Sequence, residues 1–330
     1  MALRVGVIGA GSMGKHHVRI YSELHTVELV GVADVDESVA ELAASHNAPF
    51  HTDYQELLKQ APELVSVAVP TSLHREVALA ALEAGCHLLI EKPISDTLDS
   101  ASAIIESAKE RGRKVFVGHV ERFNPAVIAL KGVISSGKLG NVHSISNLRV
   151  GAYNRRIFDT GIILDLGSHD IDLISYLYGR KAEAVFALGA AQIHEYEDHA
   201  AISLKFAESA AGYIELSWLS PYKVRKMFVV GTEHFGLVDL IQQSLIVYDG
   251  KDWVDTGLVE REEPLKLELA SLVEAVLNDE PPAVSGEDSL YTIQVALAAI
   301  DSYAKGDAIH FPEHASNPAY PTALNANERE

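Results

Sequence analysis

The sequence predicts an α/β protein in which a doubly wound parallel sheet is followed by an α+β part with a large, mostly antiparallel open sheet. Three observations support this fold class. Short apolar runs alternate with helical segments in the first 119 residues. These runs are apolar without interruption, which is typical of parallel strands that helices cover on both faces. Further along the chain, short strands follow one another and alternate polar with apolar residues, which is typical of antiparallel sheets.

The first part of the chain alternates regularly between predicted strands and predicted helices. Its strands are expected at 3–8, 27–36, 64–70, 86–93 and 114–119. Its helices are expected at 13–24, 37–47, 54–61, 73–85 and 97–112. Gly85 stands where the C-terminal cap of a helix is expected. We therefore predict a first domain over residues 1–122.

Residues 123–330 are predicted to form a second domain, since a chain of 330 residues exceeds what one compact core usually holds. Helices are expected at 124–137, 265–278 and 289–306, with another that begins near residue 164. Strands are expected at 142–150, 184–192, 199–207, 211–219, 225–231, 236–241 and 244–249. The polar residues 314–330 are expected to form a loose tail or an arm.

Composition and charge limit the partners of this protein. A formal net charge of −19 argues against nonspecific binding of nucleic acids and against docking on anionic membranes. We found neither an apolar run of membrane-spanning length nor a signal-peptide pattern. The single cysteine, Cys86, excludes an intrachain disulfide and fits a reducing compartment. The predicted location is the cytoplasm.

A glycine-rich motif, G-A-G-S-M-G, follows the first predicted strand and opens the first predicted helix. The glycines allow a tight turn, close approach to a pyrophosphate and close packing of helix on strand, and the helix N-terminus attracts negative charge. A carboxylate at the end of the next strand accepts hydrogen bonds from the adenosine ribose and repels a 2′-phosphate, which favours NAD over NADP. The predicted cofactor residues here are Gly9, Gly11, Ser12, Met13, Gly14 and Asp34.

Two further segments follow strands of the predicted parallel sheet, where ligands bind in open α/β folds. The first carries Pro70, Thr71 and His74, and the second carries Glu91 and Lys92 in the triplet E-K-P. We predict that all five residues contact the cofactor. Lys92 is expected at the level of the nicotinamide, close to the substrate.

The segment "LDLGSHDID", residues 164–172, places charged groups in an otherwise apolar helical stretch. At about 100° per residue, Asp165, His169 and Asp172 share one stripe of a helix, whereas Asp170 points elsewhere. Because burying unpaired charge is costly, this stripe is expected to face a cavity. A metal site is the alternative, but no other ligand cluster accompanies it, so we predict no metal. The segment "HEYEDH", residues 194–199, is expected to be a solvated turn.

These motifs together resemble the Gfo/Idh/MocA oxidoreductase family over nearly the whole chain. The combination of E-K-P with D-x-x-x-H some seventy residues later is much more specific than the glycine motif. The resemblance implies an N-terminal Rossmann domain that binds NAD and a C-terminal α+β domain that often forms a homodimer or homotetramer through its open sheet. It also implies three catalytic residues, Lys92, Asp165 and His169.

The chemistry of these side chains suits the oxidation of a secondary alcohol. A histidine titrates near neutrality, so His169 is predicted to take the hydroxyl proton as a general base. Asp165 would orient the imidazole or the substrate. Lys92 would stabilise negative charge on the reacting oxygen.

Basic residues suggest an anionic substrate. Arg149, Arg155 and Arg156 precede the polar-striped helix, and Lys223, Arg225 and Lys226 form a second group; solvated basic loops are the alternative. The segments around them resemble the nucleotide-sugar dehydrogenases of the family, which implies oxidation of the C3 hydroxyl of a UDP-N-acetylhexosamine. The other possibilities are a free sugar, an inositol or a sugar acid, and a non-catalytic NAD-binding regulator. The predicted substrate contacts are Arg122, Tyr153, Asn154, Arg155, Arg156, Asp165 and His169.

Overall fold

The computed structural model describes residues 2–153, 160–248, 250–251, 253–255 and 260–312, which form two β-sheets and the helices around them. The strands are β1 (Leu3–Ile8), β2 (Val27–Ala33), β3 (Phe50–His51), β4 (Leu64–Val67), β5 (His87–Ile90), β6 (Val115–Val117), β7 (Val142–Ala152), β8 (Ala184–Ala190), β9 (His199–Lys205), β10 (Ala211–Ser217), β11 (Leu219–Gly231), β12 (Phe235–Asp239), β13 (Ser244–Tyr248), β14 (Trp253–Asp255) and β15 (Ile309–His310). The α-helices are α1 (Gly14–Glu23), α2 (Val39–Ser45), α3 (Tyr54–Leu58), α4 (His74–Glu83), α5 (Leu98–Glu110), α6 (Pro125–Ser135), α7 (Ser168–Tyr178), α8 (Pro264–Leu277) and α9 (Gly286–Lys305).

The first sheet has six strands in the order β3-β2-β1-β4-β5-β6, and every pair is parallel. The strand order reverses direction between β1 and β4, so a crevice forms there at the carboxyl ends of the strands. The predicted doubly wound parallel sheet is therefore confirmed. The sequence prediction missed β3, because two residues carry too little pattern to mark a strand.

Local sequence signals explain where α5 begins and which face it buries. In α5, Thr97 is the N-cap, and its hydroxyl oxygen accepts a hydrogen bond from the Ser100 N–H at 3.2 Å. Apolar residues then recur at helical spacing and cover the sheet. The buried apolar side chains of α5 are Ala101, Ile104, Ile105 and Ala108.

The second sheet has nine strands in the order β14-β13-β12-β11-β7-β10-β9-β8-β15. Among the described strands of this second sheet, only β10 and β7 pair in parallel, so the predicted, mostly antiparallel sheet is confirmed. Ile214 and Leu216 of β10 are buried on one face, as their alternation predicts. The other face is a groove of about 580 Å³ that exposes Tyr213 and Leu219. A homodimer or homotetramer through this open face remains a prediction.

Strand β11 is longer than expected. The sequence predicts a strand from residue 225, whereas β11 begins at Leu219 and passes through Pro221. Its register on β7 jumps between the pairs Leu219↔Ala152 and Val224↔Val150. The proline therefore lies in an irregular stretch where it is not required to donate to the ladder, which is why it does not end the strand.

Helices from the second half of the sequence return to the first sheet. Leu269 and Leu272 of α8 lie in the same apolar core as Val5 and Val7 of β1. The segment before α9 also reaches this sheet, because Ser285 forms an isolated bridge with Phe116. The domain boundary between residues 122 and 123 remains a prediction. Helix α8 follows this boundary in the sequence but completes the core of the first sheet.

We found no helix in the described ranges that is both long enough and apolar enough to span a membrane.

Candidate active site

The glycine-rich turn brings two backbone segments into direct contact. Gly9 has a φ of +84°, and a Cβ there would lie 2.7 Å from the backbone of Ala68 on the neighbouring strand. A Cβ on Gly14 would lie only 1.8 Å from the Gly9 carbonyl oxygen, so α1 packs directly on the turn. A Cβ on Gly11 would meet nothing within 4 Å, which leaves that backbone open to a bound group. Ser12 and Met13 are exposed beside it.

A cavity of about 240 Å³ lies at the carboxyl ends of β1, β2 and β4, and Gly9, Gly11, Asp34 and Pro70 line it. The Asp34 carboxylate is held at its edge because Oδ2 accepts the Ala10 N–H at 2.7 Å and Oδ1 accepts the Asp36 N–H at 2.9 Å. Thr71 begins a single 3₁₀ turn directly after Pro70. An open glycine backbone, a helix N-terminus and a fixed carboxylate in one cavity fit a dinucleotide whose ribose carries free hydroxyl groups.

His74 and Glu91 support the loops that follow β4 and β5. Both ring nitrogens of His74 lie 2.9 Å from backbone carbonyl oxygens, those of Val69 and Pro93. Glu91 Oε1 lies 2.9 Å from Nε2 of the buried His17 on α1. Burial alone would raise the pKa of Glu91, but the hydrogen bond and charge of His17 lower it overall. Direct contact of His74 and Glu91 with the cofactor remains a prediction.

Lys92 and Asp165 meet although 73 positions separate them in the sequence. Lys92 Nζ donates to the Asp165 backbone carbonyl oxygen at 2.8 Å and to its Oδ1 at 3.1 Å. Both side chains are only 17% exposed. The turn after β5 and the segment before α7 therefore converge on one ammonium group.

The predicted helix that carries Asp165 and His169 is continuous but is not a regular α-helix throughout. Asp165 lies in a π-helical turn, Ile163–Gly167, and α7 begins only at Ser168. A π turn has more residues per turn than an α-helix, so the 100° spacing used for the sequence does not hold across it. The prediction that Asp165 and Lys92 share a site is nevertheless consistent with their contact.

His169 is only partly exposed, and its surroundings favour the uncharged imidazole. Burial lowers the pKa of His169 well below its usual 6.5, and the positive charges of Lys92 and Arg149 lower it further. Its Nδ1 and the Asp165 Oδ2 have no hydrogen-bond partner in the described part of the chain. The site therefore presents a neutral imidazole, a carboxylate oxygen and a cation to whatever enters it.

Arg122, predicted to contact the substrate, is instead occupied by two carboxylates of the protein. Its Nε and Nη2 donate to Asp172 at 2.8 and 2.6 Å, and its Nη1 donates to Asp288 at 3.2 Å. Asp172 is buried and is the partner of Arg122. The sequence could not show this pairing, because 50 residues separate the two side chains.

Arg149 is likewise a structural residue, contrary to its grouping with Arg155 and Arg156. It is fully buried and donates through Nε and Nη2 to Asp170 on α7, at 2.8 and 3.0 Å. Its Nη1 donates to Glu121 at 3.0 Å. The basic residues of β11 also have different partners: Arg225 donates to Glu121, whereas Lys226 lies 4.0 Å from Asp239.

Of the remaining predicted contacts, Tyr153 lies within the described residues. The ring of Tyr153 packs against Trp218 and His194, with centroids 5.3 and 5.2 Å apart. Asn154, Arg155 and Arg156 lie outside the described residues. The sequence analysis did not identify His17 as the partner of Glu91. The one sequence signal for it is that His17 is a polar residue on the apolar face of α1.

The segment 194–199 is only in part the solvated turn that we predicted: Glu195 and Tyr196 are exposed in a bend. Glu197 and Asp198 are both buried. Asp198 Oδ2 accepts backbone N–H groups of Gln192 and Ile193 at 2.6 Å each. Glu197 Oε1 accepts the Ile163 N–H at 3.1 Å, at the start of the π turn. The residues that the structure describes contain no group of three or more metal-ligating side chains.

Comparison with known proteins gives two family matches. Residues 3–119 match the oxidoreductase family described as having an NAD-binding Rossmann fold. Residues 127–234 match the GFO/IDH/MocA C-terminal domain.

Individual relatives cover most of the chain. A UDP-N-acetylglucosamine 3-dehydrogenase from Acidithiobacillus ferrooxidans is 30% identical over 247 residues, which are 74% of this chain and 77% of the relative. A solved structure of that enzyme superposes with a TM-score of 0.84 at 27% identity and covers 92% of this chain and 99% of its own. A scyllo-inositol 2-dehydrogenase (NAD⁺) from Bacillus subtilis is 28% identical, covering 92% of this chain and 95% of the relative.

Proposed function

This chain belongs to the Gfo/Idh/MocA oxidoreductase family and uses NAD, and on that premise we propose that it oxidises the C3 hydroxyl of a UDP-N-acetylhexosamine. The observation that carries the proposal is the convergence of Lys92 on Asp165 next to the neutral His169. These are the groups that alcohol oxidation requires, and both E-K-P and D-x-x-x-H are intact.

Each side chain has a distinct role in the proposed reaction. Bound at the glycine-rich turn and Asp34, NAD would supply the hydride acceptor for the reacting carbon. A ring nitrogen of His169 takes the hydroxyl proton, and the depressed pKa keeps that nitrogen free of a proton at neutral pH. The Lys92 ammonium group donates to the reacting oxygen and stabilises the negative charge that develops there. Asp165 fixes the direction of Lys92 through two acceptor atoms.

The relatives support a nucleotide sugar as the substrate, but they also support a second substrate class. The 3-dehydrogenase matches this chain at 30% identity, and the inositol dehydrogenase matches at 28% over a longer stretch. A free sugar, an inositol or a sugar acid is therefore the alternative substrate class. The intact pair of Lys92 and His169 argues against a non-catalytic NAD-binding regulator. The cytoplasmic location also remains a prediction.

The experiment is a measurement of NADH formation with UDP-N-acetylglucosamine, N-acetylglucosamine and myo-inositol as separate substrates. We expect NADH with the nucleotide sugar, and a product that carries a ketone at C3 by NMR. Lys92→Met and His169→Asn should each lower kcat by about 10²–10⁴-fold, because each removes a group that acts on the reacting oxygen or its proton.

Two controls make this experiment decisive. NAD should bind to both variants with a Kd within about threefold of the wild-type value, since cofactor binding depends mainly on other residues. Lys59→Met, which changes an exposed lysine on the first half of the chain, should leave kcat unchanged. NADH formed from myo-inositol alone would replace the proposed substrate, and unchanged kcat in either active-site variant would refute the proposed roles.

A further inference from the structure

We propose that Arg225 and Lys223 of β11 bind an anionic group of the substrate, a phosphate or a carboxylate, beside the catalytic residues. This inference rests on the proposed function, because it adds a specificity site to that reaction. It also differs from the sequence-based argument, which treated all nearby basic residues alike.

The first observation is a pair of like charges placed directly opposite each other. In the antiparallel pair of β11 and β7, Arg225 is the register partner of Arg149. Like charges at such positions destabilise a sheet. Arg149 is fully buried and cannot turn away to solvent. The sheet therefore concentrates positive charge at this position.

The second observation is that Arg149 and Arg225 share the negative charge of one carboxylate, that of Glu121. Glu121 Oε1 accepts one hydrogen bond from Arg149 and one from Arg225, each at 3.0 Å. Asp170 is used by Arg149 and by Asn147. Within the described ranges, Arg225 donates through Nη1 alone, and its side chain is 29% exposed. Its other N–H groups are therefore available to an oxyanion, which the guanidinium group binds in a fork.

The electrostatics of neighbouring groups show the same excess of positive charge. Burial and the charge of Arg149 lower the pKa of Arg225 below its usual value. The charge of Arg225 in turn lowers the pKa of Lys223, which is exposed two residues earlier on the strand. An anion bound between Arg225 and Lys223 would relieve this repulsion.

The position of these cations relative to the reaction is the third observation. Arg225 and Arg149 share Glu121, and Arg149 in turn binds Asp170, the residue after His169. The charge of Arg225 accordingly lowers the pKa of His169. The whole chain carries a net charge of −19, which repels anions in general. A local pair of cations next to the catalytic residues therefore selects a substrate whose anionic group lies near the reacting sugar.

The experiment compares anionic and neutral ligands in the presence of NADH, which cannot accept a hydride from them. UDP-N-acetylglucosamine, glucuronate and N-acetylglucosamine are titrated by calorimetry into wild type, Arg225→Gln, Arg225→Lys and Lys223→Gln. Lys226→Gln is the matched control, because Lys226 is adjacent on the strand but lies near Asp239. Thermal unfolding of each variant shows whether it is folded, and the exposed Lys223 provides a variant without loss of buried contacts.

We expect the Kd of the anionic ligand to rise about tenfold or more in Arg225→Gln, with partial recovery in Arg225→Lys. Lys223→Gln should show a smaller rise, and Lys226→Gln should stay within about twofold. An effect on UDP-N-acetylglucosamine identifies a phosphate as the anion, and an effect on glucuronate identifies a carboxylate. Neutral N-acetylglucosamine should change by less than about threefold.

The inference is overturned if all three ligands weaken equally, if the anionic ligands are unaffected, or if wild type binds neither anion more tightly than the neutral sugar. These titrations need no turnover. Binding that depends on Arg225 without NADH formation would therefore refute the proposed reaction alone. Turnover of a nucleotide sugar that is indifferent to Arg225 would refute this inference alone.

Discussion

Gly11 and Gly14 belong to one motif but serve different physical needs. Gly14 is required by the protein itself, because a Cβ there would overlap the Gly9 carbonyl oxygen. Gly11 has no such neighbour within 4 Å in the described structure. Its missing side chain is therefore useful only to a molecule that approaches the turn from outside. The sequence motif alone does not separate these two requirements.

We predict that Gly14→Ala and Gly11→Ala have different effects on stability and on cofactor binding. Gly14→Ala should lower the free energy of unfolding by about 1–3 kcal/mol, since backbone must move to relieve the overlap. Gly11→Ala should change it by less than about 0.5 kcal/mol but weaken NAD binding about tenfold or more. Urea unfolding and NAD titration measure the two effects. Equal loss of stability in both variants would contradict this distinction.

At the residue scale, a sequence predicts candidate catalytic side chains when they belong to a short motif. Lys92, Asp165 and His169 are of this kind. Arg122, a predicted substrate contact, pairs with Asp172 and Asp288, and Arg149, one of the basic residues that suggested an anionic substrate, pairs with Asp170 and Glu121. The sequence could not show these pairs, because most of the partners are distant along the chain. The signal was present in part: Asp170 and Asp172 in an apolar helix must have partners if they are buried.

At the scale of elements, α7 is held to β7 by a buried ion pair. Asp170 accepts two hydrogen bonds from Arg149 and one from Asn147. A buried pair of this kind contributes little net stability compared with apolar residues, but it is costly to break from one side. The pair therefore fixes the position of α7, and with it the position of His169.

We predict that Asp170→Asn lowers the free energy of unfolding by about 3–5 kcal/mol, because Arg149 then keeps a buried charge with less compensation. Asp301→Asn is the control, since it removes an exposed partner of Lys305 on α9 and should cost less than about 1 kcal/mol. Urea unfolding of both variants measures the difference. A cost for Asp170→Asn as small as that of the control would show that the pair does not hold the helix.

Elements with a long, regular pattern were predictable from the sequence, and irregular ones were not. The cap at Thr97 and the apolar spacing of α5 are local properties. The π turn Ile163–Gly167 has the composition of an ordinary helix, so no local signal marks it. In β11, the dipeptide Ser220-Pro221 indicates a break, and only the bulge in the partner register allows the strand to continue.

At the scale of the whole molecule, the buried carboxyl group of Glu268 makes the stability of the protein depend on pH. It lies on α8, is 3% exposed, and neither side-chain oxygen has a hydrogen-bond partner in the described structure. Burial raises its pKa well above the usual value of 4.5, and the charges of Glu91 and Asp172 raise it further. The folded protein therefore holds a proton there that the unfolded chain releases above about pH 4.5.

We predict that Glu268→Gln becomes more stabilising as the pH rises. A raised carboxyl pKa lowers wild-type stability above the unfolded pKa, by up to about 1.4 kcal/mol per pH unit until the folded pKa is reached. Glutamine does not titrate, so the difference in unfolding free energy between variant and wild type should grow from pH 5 to pH 8. The depressed histidine pKa values affect both proteins equally and cancel in this difference.

The matched control is Glu274→Gln, the same substitution at an exposed position of α8. Its effect on the free energy of unfolding should change less with pH than the effect of Glu268→Gln. Urea unfolding across the pH range checks both variants. A difference for Glu268→Gln that stays flat with pH would show that Glu268 is ionised in the folded protein.

The global architecture was predictable where it follows from chain order. Alternating strands and helices dictate a parallel sheet, and successive short strands dictate an antiparallel one. The return of α8 to the first sheet was not predictable, because an amphipathic helix does not reveal which of two sheets it will cover. Leu269 and Leu272 carry the same pattern in either case.

The contribution of α8 to the core of β1 has a consequence for biosynthesis. Helix α8 begins about 140 residues after position 122, so it leaves the ribosome roughly 7–30 s later at ~5–20 residues per second. During that interval, the apolar surface that Leu269 and Leu272 later cover faces water and is a binding site for chaperones. The nascent nucleotide-binding half is therefore translated first, but its core is completed only after α8 has been synthesised.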